Sequence, residues 1–473
     1  MPLCQSKKTN AMAGLGTVSI WRFGCIRRPR RPCRAQDRRP VATAPGWLGR
    51  WVRRHWLRKP APAAAVPATE QLACAADEQD WSWLPEDLLL MAMESMEVLD
   101  VVQSGAVCSS WSAAYDQFLR LRLPARPNPP PCLLYARATD SAPAIYCPST
   151  GATFPCRAGS GGSFVAGSAR GWVFAADEAT ADPFLLNPLT GSRAALPPLA
   201  TLKRVKGTFL DADGNVMYNI DHRRVVAAAE DVKPITARTA RVRMFRRVAF
   251  SGDIVLLVHM PHGEASYARP GDERWIPLST ALAPFFFCPA IGAVYNNDNG
   301  LFYLMSQGGS IFSVDLSGPV PVGQPVTYMM MELRPNYKHT YYLVFRGREL
   351  LLVTRHLLLT RPRAGEKDVT TTDISIRKIA CEVPAPEGLP GIGDDYALFL
   401  GHNEPMCLPV KDYPMLRRNC AYLADDSEQH FPPITRQDVG IWDFGSKTME
   451  KFGEDLQPWM DEQPPIWITP SLY

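Results

Sequence analysis

The 473-residue sequence predicts a mainly β protein: a β-propeller-like domain preceded by a small all-α module and a disordered basic N-terminal leader. Three observations carry that expectation. From residue 132 to the end, short apolar runs alternate with turns rich in Gly, Asn and Asp. Between residues 81 and 122, apolar residues recur at helical spacing instead. Residues 1–60 hold fifteen Lys/Arg against one acid, Asp37, a charge density that resists compaction.

The β region is justified run by run. "GWVFAAD" (171–177) leads into "PFLLNPLTGSRAALPPL" (183–199), where Asn187-Pro188 and Thr190-Gly191 mark turns. "GTFLDADGNVMYNI" places Asp213-Gly214 between two apolar runs, a hairpin signal. "RVAFSGDIVLLVHM", "GAVYNNDNGLFYLMSQGGSIFSVDLSG" and "YYLVFRGRELLLVTRHLLLT" repeat the scheme. So many hairpins exceed one sandwich, and a propeller is the economical closure, although the units are too irregular to count blades. Trp442-Asp443 occurs once, without the period or Gly-His partner of a WD repeat.

Charge and composition exclude several function classes. Outside the first sixty residues, 36 Lys/Arg face 46 Asp/Glu, so the body carries no footprint for nucleic acid. Twelve cysteines without a C-x-x-C pair read as reduced buried thiols rather than a disulfide framework or a zinc site. No apolar run reaches the roughly 20 residues that cross a bilayer, so no membrane partner is expected. For the leader, "RRPRRPCRAQDRRP" and "GRWVRRHWLRK" leave three readings open: a targeting presequence, a basic arm, or a tail (or over-extended gene model) without a role. With the Ala/Pro tract "KPAPAAAVPATE" it spans residues 1–80.

Residues 81–122 form the helical module. "WSWLPEDLLLMAMESM" puts Pro85 at a helix start, with Glu86 and Asp87 in the first turn where negative charge is favoured. Leu88, Leu89, Met93 and Met96 are expected to form one apolar stripe, and Val107, Trp111 and Tyr115 another. Such a unit is too small to stabilise itself and requires a cover for part of its apolar surface. "LPEDLLLMAMESM…VLDVVQSGAVCSSW" resembles the F-box, the module that docks the Skp adaptor of cullin-based ubiquitin ligases. By position, the resemblance makes Leu84, Pro85, Leu88, Leu89, Val107, Cys108 and Trp111 the adaptor-facing or module-packing residues. Ala92 stands where that family has a larger aliphatic residue.

A Pro-rich linker follows at 123–131, then the domain 132–473. Its end carries Phe399, Leu400, Gly401, Leu408, Pro409, Leu416, Asn419, Cys420, Tyr422, Asp425 and Asp426 in order. This resembles the closing segment of plant F-box proteins with a propeller-type domain of unknown function 295, and "FLLNPLTGSRAALPPL" matches that family's first-blade hairpin. On the residues themselves, Asn419 and the two aspartates read as turn formers rather than a ligand site.

Catalytic patterns are wanting. His259 and His262 lack an acidic ligand at metal spacing, and "GSGGSFVAGSARG" lacks the Lys-Ser/Thr of a phosphate loop. "DADGN" lacks the glutamate of a calcium loop, and Asp394-Asp395 read as solvated. The sequence therefore predicts a non-enzymatic protein without cofactor, and the resemblance implies the substrate-recognition subunit of a Skp-cullin-F-box ligase, with a Skp-type adaptor, through it a cullin, and an unidentified protein target as partners. Cytoplasm and nucleus are the expected location, or an organelle if the leader is a transit peptide. The alternative is a propeller scaffold in which the F-box-like helices are vestigial.

Overall fold

A computed structural model describes residues 83–126, 129–136, 142–156, 164–223, 231–278, 289–328, 338–360, 368–379, 388–424, 438–452 and 465–473. All readings of residues 1–80, and those of Asp425 and Asp426, lie outside these residues.

Three short helices come first: α1 (Glu86–Glu94), α2 (Val98–Ser104) and α3 (Ser109–Arg120). Pro85 has φ −55° and ψ 145°, an extended lead-in that hands its carbonyl to Leu89 N–H at 3.1 Å. Gly105 ends α2 and is fixed by packing rather than by its φ, because a Cβ there would lie 2.8 Å from the Tyr115 ring. α1 and α3 pack together over a buried set of Leu89, Met93, Val101, Trp111, Ala114 and Phe118.

The expected single stripe on α1 divides in two. Leu89 and Met93 are buried, as is Met96 beyond the helix, while Leu88 is exposed. Adjacent helical residues differ by about 100° around the axis, so Leu88 cannot share the face of Leu89 and Met93. Val107 likewise leaves the stripe expected with Trp111 and Tyr115, because α3 starts only at Ser109.

Six blade-like sheets follow among the described residues. Blade 1 holds Cys132–Tyr135, Ala144–Cys147 and Ala152–Pro155, and its fourth strand is Ile466–Ile468 from the far end of the chain. Blade 2 runs from Phe164–Ala169 to Arg193–Ala195, blade 3 from Phe245–Phe250 to Ile276–Pro277, and blade 4 from Ala290–Asn296 to Val322–Thr327. Blade 5 runs from Lys338–Arg346 to Gly388–Leu389, and its second strand, Glu349–Thr360, is twelve residues long. Blade 6 has five strands, with Met406–Pro409 added at the inner edge and Tyr396–Leu400 parallel to Cys420–Leu423. Inner strands neighbour one another from Ile466–Ile468 through blades 2, 3, 4 and 5 to Met406–Pro409. Leu133, Tyr135 and Trp467 share a core with Ala397, Phe399 and Tyr422, which joins blade 6 to blade 1.

A three-stranded sheet (Val205–Leu210, Val216–Asp221, Val232–Thr236) and α4 (Ala237–Arg243) are inserted between blades 2 and 3. Tyr218, Ile220, Ala237 and Ala240 extend the core that those two blades share. The hairpin "FLLNPLTGSRAALPPL" lies in the second blade along the chain, not the first, because the closing blade takes the first strands. Among the described residues no helix is long and apolar enough to cross a membrane.

Candidate docking surface and the closed axis

The helical module keeps its core filled and still presents apolar side chains outward. Leu88 is 42% exposed and Met91 57%, three residues apart on the α1 face opposite Leu89 and Met93. Trp83, 84% exposed, and Pro85, also exposed, continue the surface through the lead-in, and Leu84 is partly covered. Val107 is 40% exposed in the turn before α3. Cys108, half-buried, has φ −160° and ψ 177°, an extended residue whose carbonyl accepts Ser112 N–H at 2.9 Å.

The seven sequence-predicted residues therefore separate into three groups. Leu89 and Trp111 are interior and hold α1 against α3. Leu88, Pro85 and Val107 face outward, with Leu84 and Cys108 between these extremes. Met91 and Trp83 belong to the outward set and were not predicted. Helical spacing from Leu88 would have found Met91.

The module is seated on the propeller through the chain terminus. The Tyr473 hydroxyl lies 3.2 Å from Phe118 O and 3.1 Å from Leu123 O, both acceptors at the end of α3. The Arg122 guanidinium sits over the Tyr473 ring at 5.8 Å.

A second cluster lies on the propeller axis. Residues 401–404, "GHNE", leave the strand Tyr396–Leu400 of blade 6 and reach three blades across the ring. Glu404 N–H donates to Ser168 O of blade 2 at 2.8 Å. Its Oε1 accepts Tyr295 N–H of blade 4 at 2.6 Å, and Phe250 N–H of blade 3 also donates to the carboxylate. His402 Nδ1 lies 3.2 Å from an Arg247 nitrogen of blade 3, and that guanidinium covers the Tyr342 ring of blade 5 at 5.7 Å. Bonds from blade 6 to blades 2, 3 and 4 must cross the centre, so this loop stoppers the axis. Gly401 is required at its root, since a Cβ would lie 2.8 Å from Asn403 Oδ1 and 2.9 Å from Ala424 Cβ.

Electrostatics at the stopper are unusual. Burial pushes the Glu404 carboxyl up to about 7, against the opposing pull of its two backbone donors and the more distant Arg170. Burial and then the Arg247 charge push His402 down to about 3, so its ring is neutral at ordinary pH. Neither residue carries a spacing signal in the sequence. Their partners come from blades far apart in the chain.

The remaining sequence candidates have structural work. Phe399 stacks on Tyr422 at 4.5 Å, and Trp467 meets both rings edge-on. Asn419 has φ 49° and accepts Gly393 N–H at 3.1 Å, while the Tyr422 hydroxyl accepts Arg417 N–H at 3.0 Å. His259 is fully buried, 3.0 Å from Ser266 Oγ, and burial lowers its pKa. His262 contacts His222 O at 2.8 Å, so the two histidines do not converge. Asp211 accepts Asp213 N–H and Asn215 N–H at 2.9 and 2.8 Å, a turn as expected. Among the described residues no cluster of His, Cys, Asp and Glu is arranged to hold a metal.

Comparison with known proteins places these observations. The sequence model of the KIB1-4 beta-propeller family matches residues 145–443. "F-box only protein 7" of Arabidopsis thaliana is 22% identical over 361 residues, covering 72% of this chain and 84% of that protein. Apo AztD from Citrobacter koseri superposes with a TM-score of 0.27 at 11% identity, covering 72% of this chain and 97% of its own. YCF48 bound to D1 peptide gives 0.24 at 13% identity, covering 48% and 77%.

Proposed function

The chain belongs to the KIB1-4 beta-propeller family, and from that premise we propose that it is the substrate-recognition subunit of a Skp-cullin-F-box ubiquitin ligase. The helical module docks a Skp-type adaptor, and through it a cullin, while the propeller binds a protein target. The F-box named in the Arabidopsis relative supports this reading, as does the resemblance to proteins with a domain of unknown function 295. The observation that carries it is the outward apolar surface of α1: Leu88 and Met91 remain exposed although Leu89, Met93 and Trp111 already fill the module's interior. Apolar anchors of this kind, laid into a groove, are worth about 2 kcal/mol each at the centre of an interface.

No covalent chemistry is assigned to this chain. Its contribution is proximity: a target lysine held beside a charged conjugating enzyme gains effective concentration. On the axis, the Glu404 carboxylate is occupied by backbone donors and His402 Nδ1 by Arg247. Cytosol and nucleus are the proposed location.

The experiment is adaptor co-purification with full-length protein in which Leu84, Pro85 and Leu88 are replaced by alanine. Loss of the adaptor with an unchanged melting profile is expected. Undiminished recovery of adaptor would remove the proposal. A fluorescent fusion of residues 1–80 tests location, and import into mitochondria or plastids would contradict it.

A further inference from the structure

Two cysteines meet where the helical module joins blade 1. Leu133 lies opposite Tyr146 and Leu134 opposite Ile145, so continuing the antiparallel ladder by one residue sets Cys132 opposite Cys147. The two thiols are close enough to shift each other's ionisation in opposite directions. Cys147 Sγ is also 3.0 Å from Ser149 Oγ, and Cys132 Sγ is 3.4 Å from Pro130 O. Directly opposed strand residues hold their Cβ atoms about 4.5–5.5 Å apart. A disulfide needs about 3.5–4.5 Å, a closure within reach of a small strand adjustment. We propose that Cys132 and Cys147 are a thiol–disulfide modification site, closed by hydroperoxide-class oxidants and reopened by small thiols.

The two thiols are chemically unequal, as the reaction requires. Cys132, aided by Ser149 and Thr150, lowers the Cys147 thiol against the effect of burial, while Cys132 itself is raised. Cys147 is therefore the more readily ionised of the two and the nucleophile, acting as its thiolate, and Cys132 is the partner that resolves it. In the first step the Cys147 sulfur attacks one oxygen of hydrogen peroxide. The O–O bond breaks, hydroxide leaves and takes a proton from solvent to become water, and Cys147 is left as the sulfenic acid. In the second step the Cys132 sulfur attacks the Cys147 sulfur, the S–O bond breaks, and the hydroxyl leaves with the Cys132 proton as a second water. Two thiols are oxidised and one peroxide is reduced.

Both side chains are buried, and Cys147 is the last residue of its strand, at a turn 148–151 whose Thr150 and Gly151 are exposed. The charge of the pair also reaches Asp100 of α2. Burial, then Glu97, then the Cys147 charge raise Asp100 to about 6. Disulfide formation abolishes the last of these three causes.

The test uses the folded full-length protein. It is treated with a small excess of hydrogen peroxide, alkylated, digested without reduction and mapped by mass spectrometry. A linked peptide holding Cys132 and Cys147 is expected, with alkylation lost at both and restored by dithiothreitol. In a Cys132→Ser variant, Cys147 is expected to be trapped as the sulfenic acid by dimedone. Unchanged alkylation at both positions while other cysteines react would overturn the proposal. Conversion of Cys147 to the sulfinic acid without a linked peptide would do the same.

Discussion

Replacing Glu404 with glutamine should change how stability depends on pH. In the folded protein this carboxyl titrates at about 7, against an ordinary value of 4.5. Between those values the folded chain keeps a proton that the unfolded chain has released. Its stabilising contribution is therefore complete below about 4.5 and lost as pH rises through about 7. At 1.36 kcal/mol per pH unit the loss is about 3 kcal/mol. Glutamine has nothing to release, so the variant should gain about 3 kcal/mol on the wild type between about pH 4 and pH 8. Its amide offers one acceptor where two backbone N–H groups point, a constant offset that does not alter the slope. His402, held down to about 3, slopes the opposite way and Asp100 the same way, and both cancel in the difference between the two proteins. Urea unfolding followed by tryptophan fluorescence at stepped pH measures that difference. Parallel profiles would refute the burial of a titrating carboxyl on the axis.

Three further outcomes follow from particular contacts. Leu88→Ala should leave unfolding within about 0.5 kcal/mol of wild type, whereas Leu89→Ala, in the module's interior, should cost about 2–5 kcal/mol in the same denaturation assay. Gly440→Ala would place a Cβ 2.1 Å from Glu450 O, a backbone atom that cannot step aside. Amide exchange of the strands Gly440–Asp443 and Thr448–Lys451 should rise, at a cost of about 1–3 kcal/mol. Trp467→Ala should remove about 3–5 kcal/mol and open the seam of blades 1 and 6 first, with new limited-proteolysis cuts there.

Local pattern made the hairpins and the first helix legible. "DADGN" forms its turn at the place its residues demand, and Pro85 opens α1. What local pattern could not supply is any pairing between distant segments. "PPIWITP" reads as an unremarkable apolar scrap, yet Ile466–Ile468 completes a sheet begun more than three hundred residues earlier. His402 and Glu404 look like loop polars until three other blades provide their partners. The cysteine pair is hidden for the same reason: eight residues separate two strands whose register only the fold determines. On α1 the error was of a different kind. Leu88 and Leu89 are adjacent, and one of two adjacent helical leucines must turn away from the core.

The grip of Tyr473 on the carbonyls closing α3 bears on how this molecule could handle a large cargo. A swinging hinge would sweep a captured target through many orientations and expose many lysines in turn. The Tyr473 hydroxyl and the Arg122 guanidinium over its ring instead fix the bearing from the outward face of α1 to the propeller rim, in the manner of a set square. Under the ligase function proposed above, selectivity then resides in which lysine of a target falls at one distance and one angle, and lengthening the 123–131 segment blurs it.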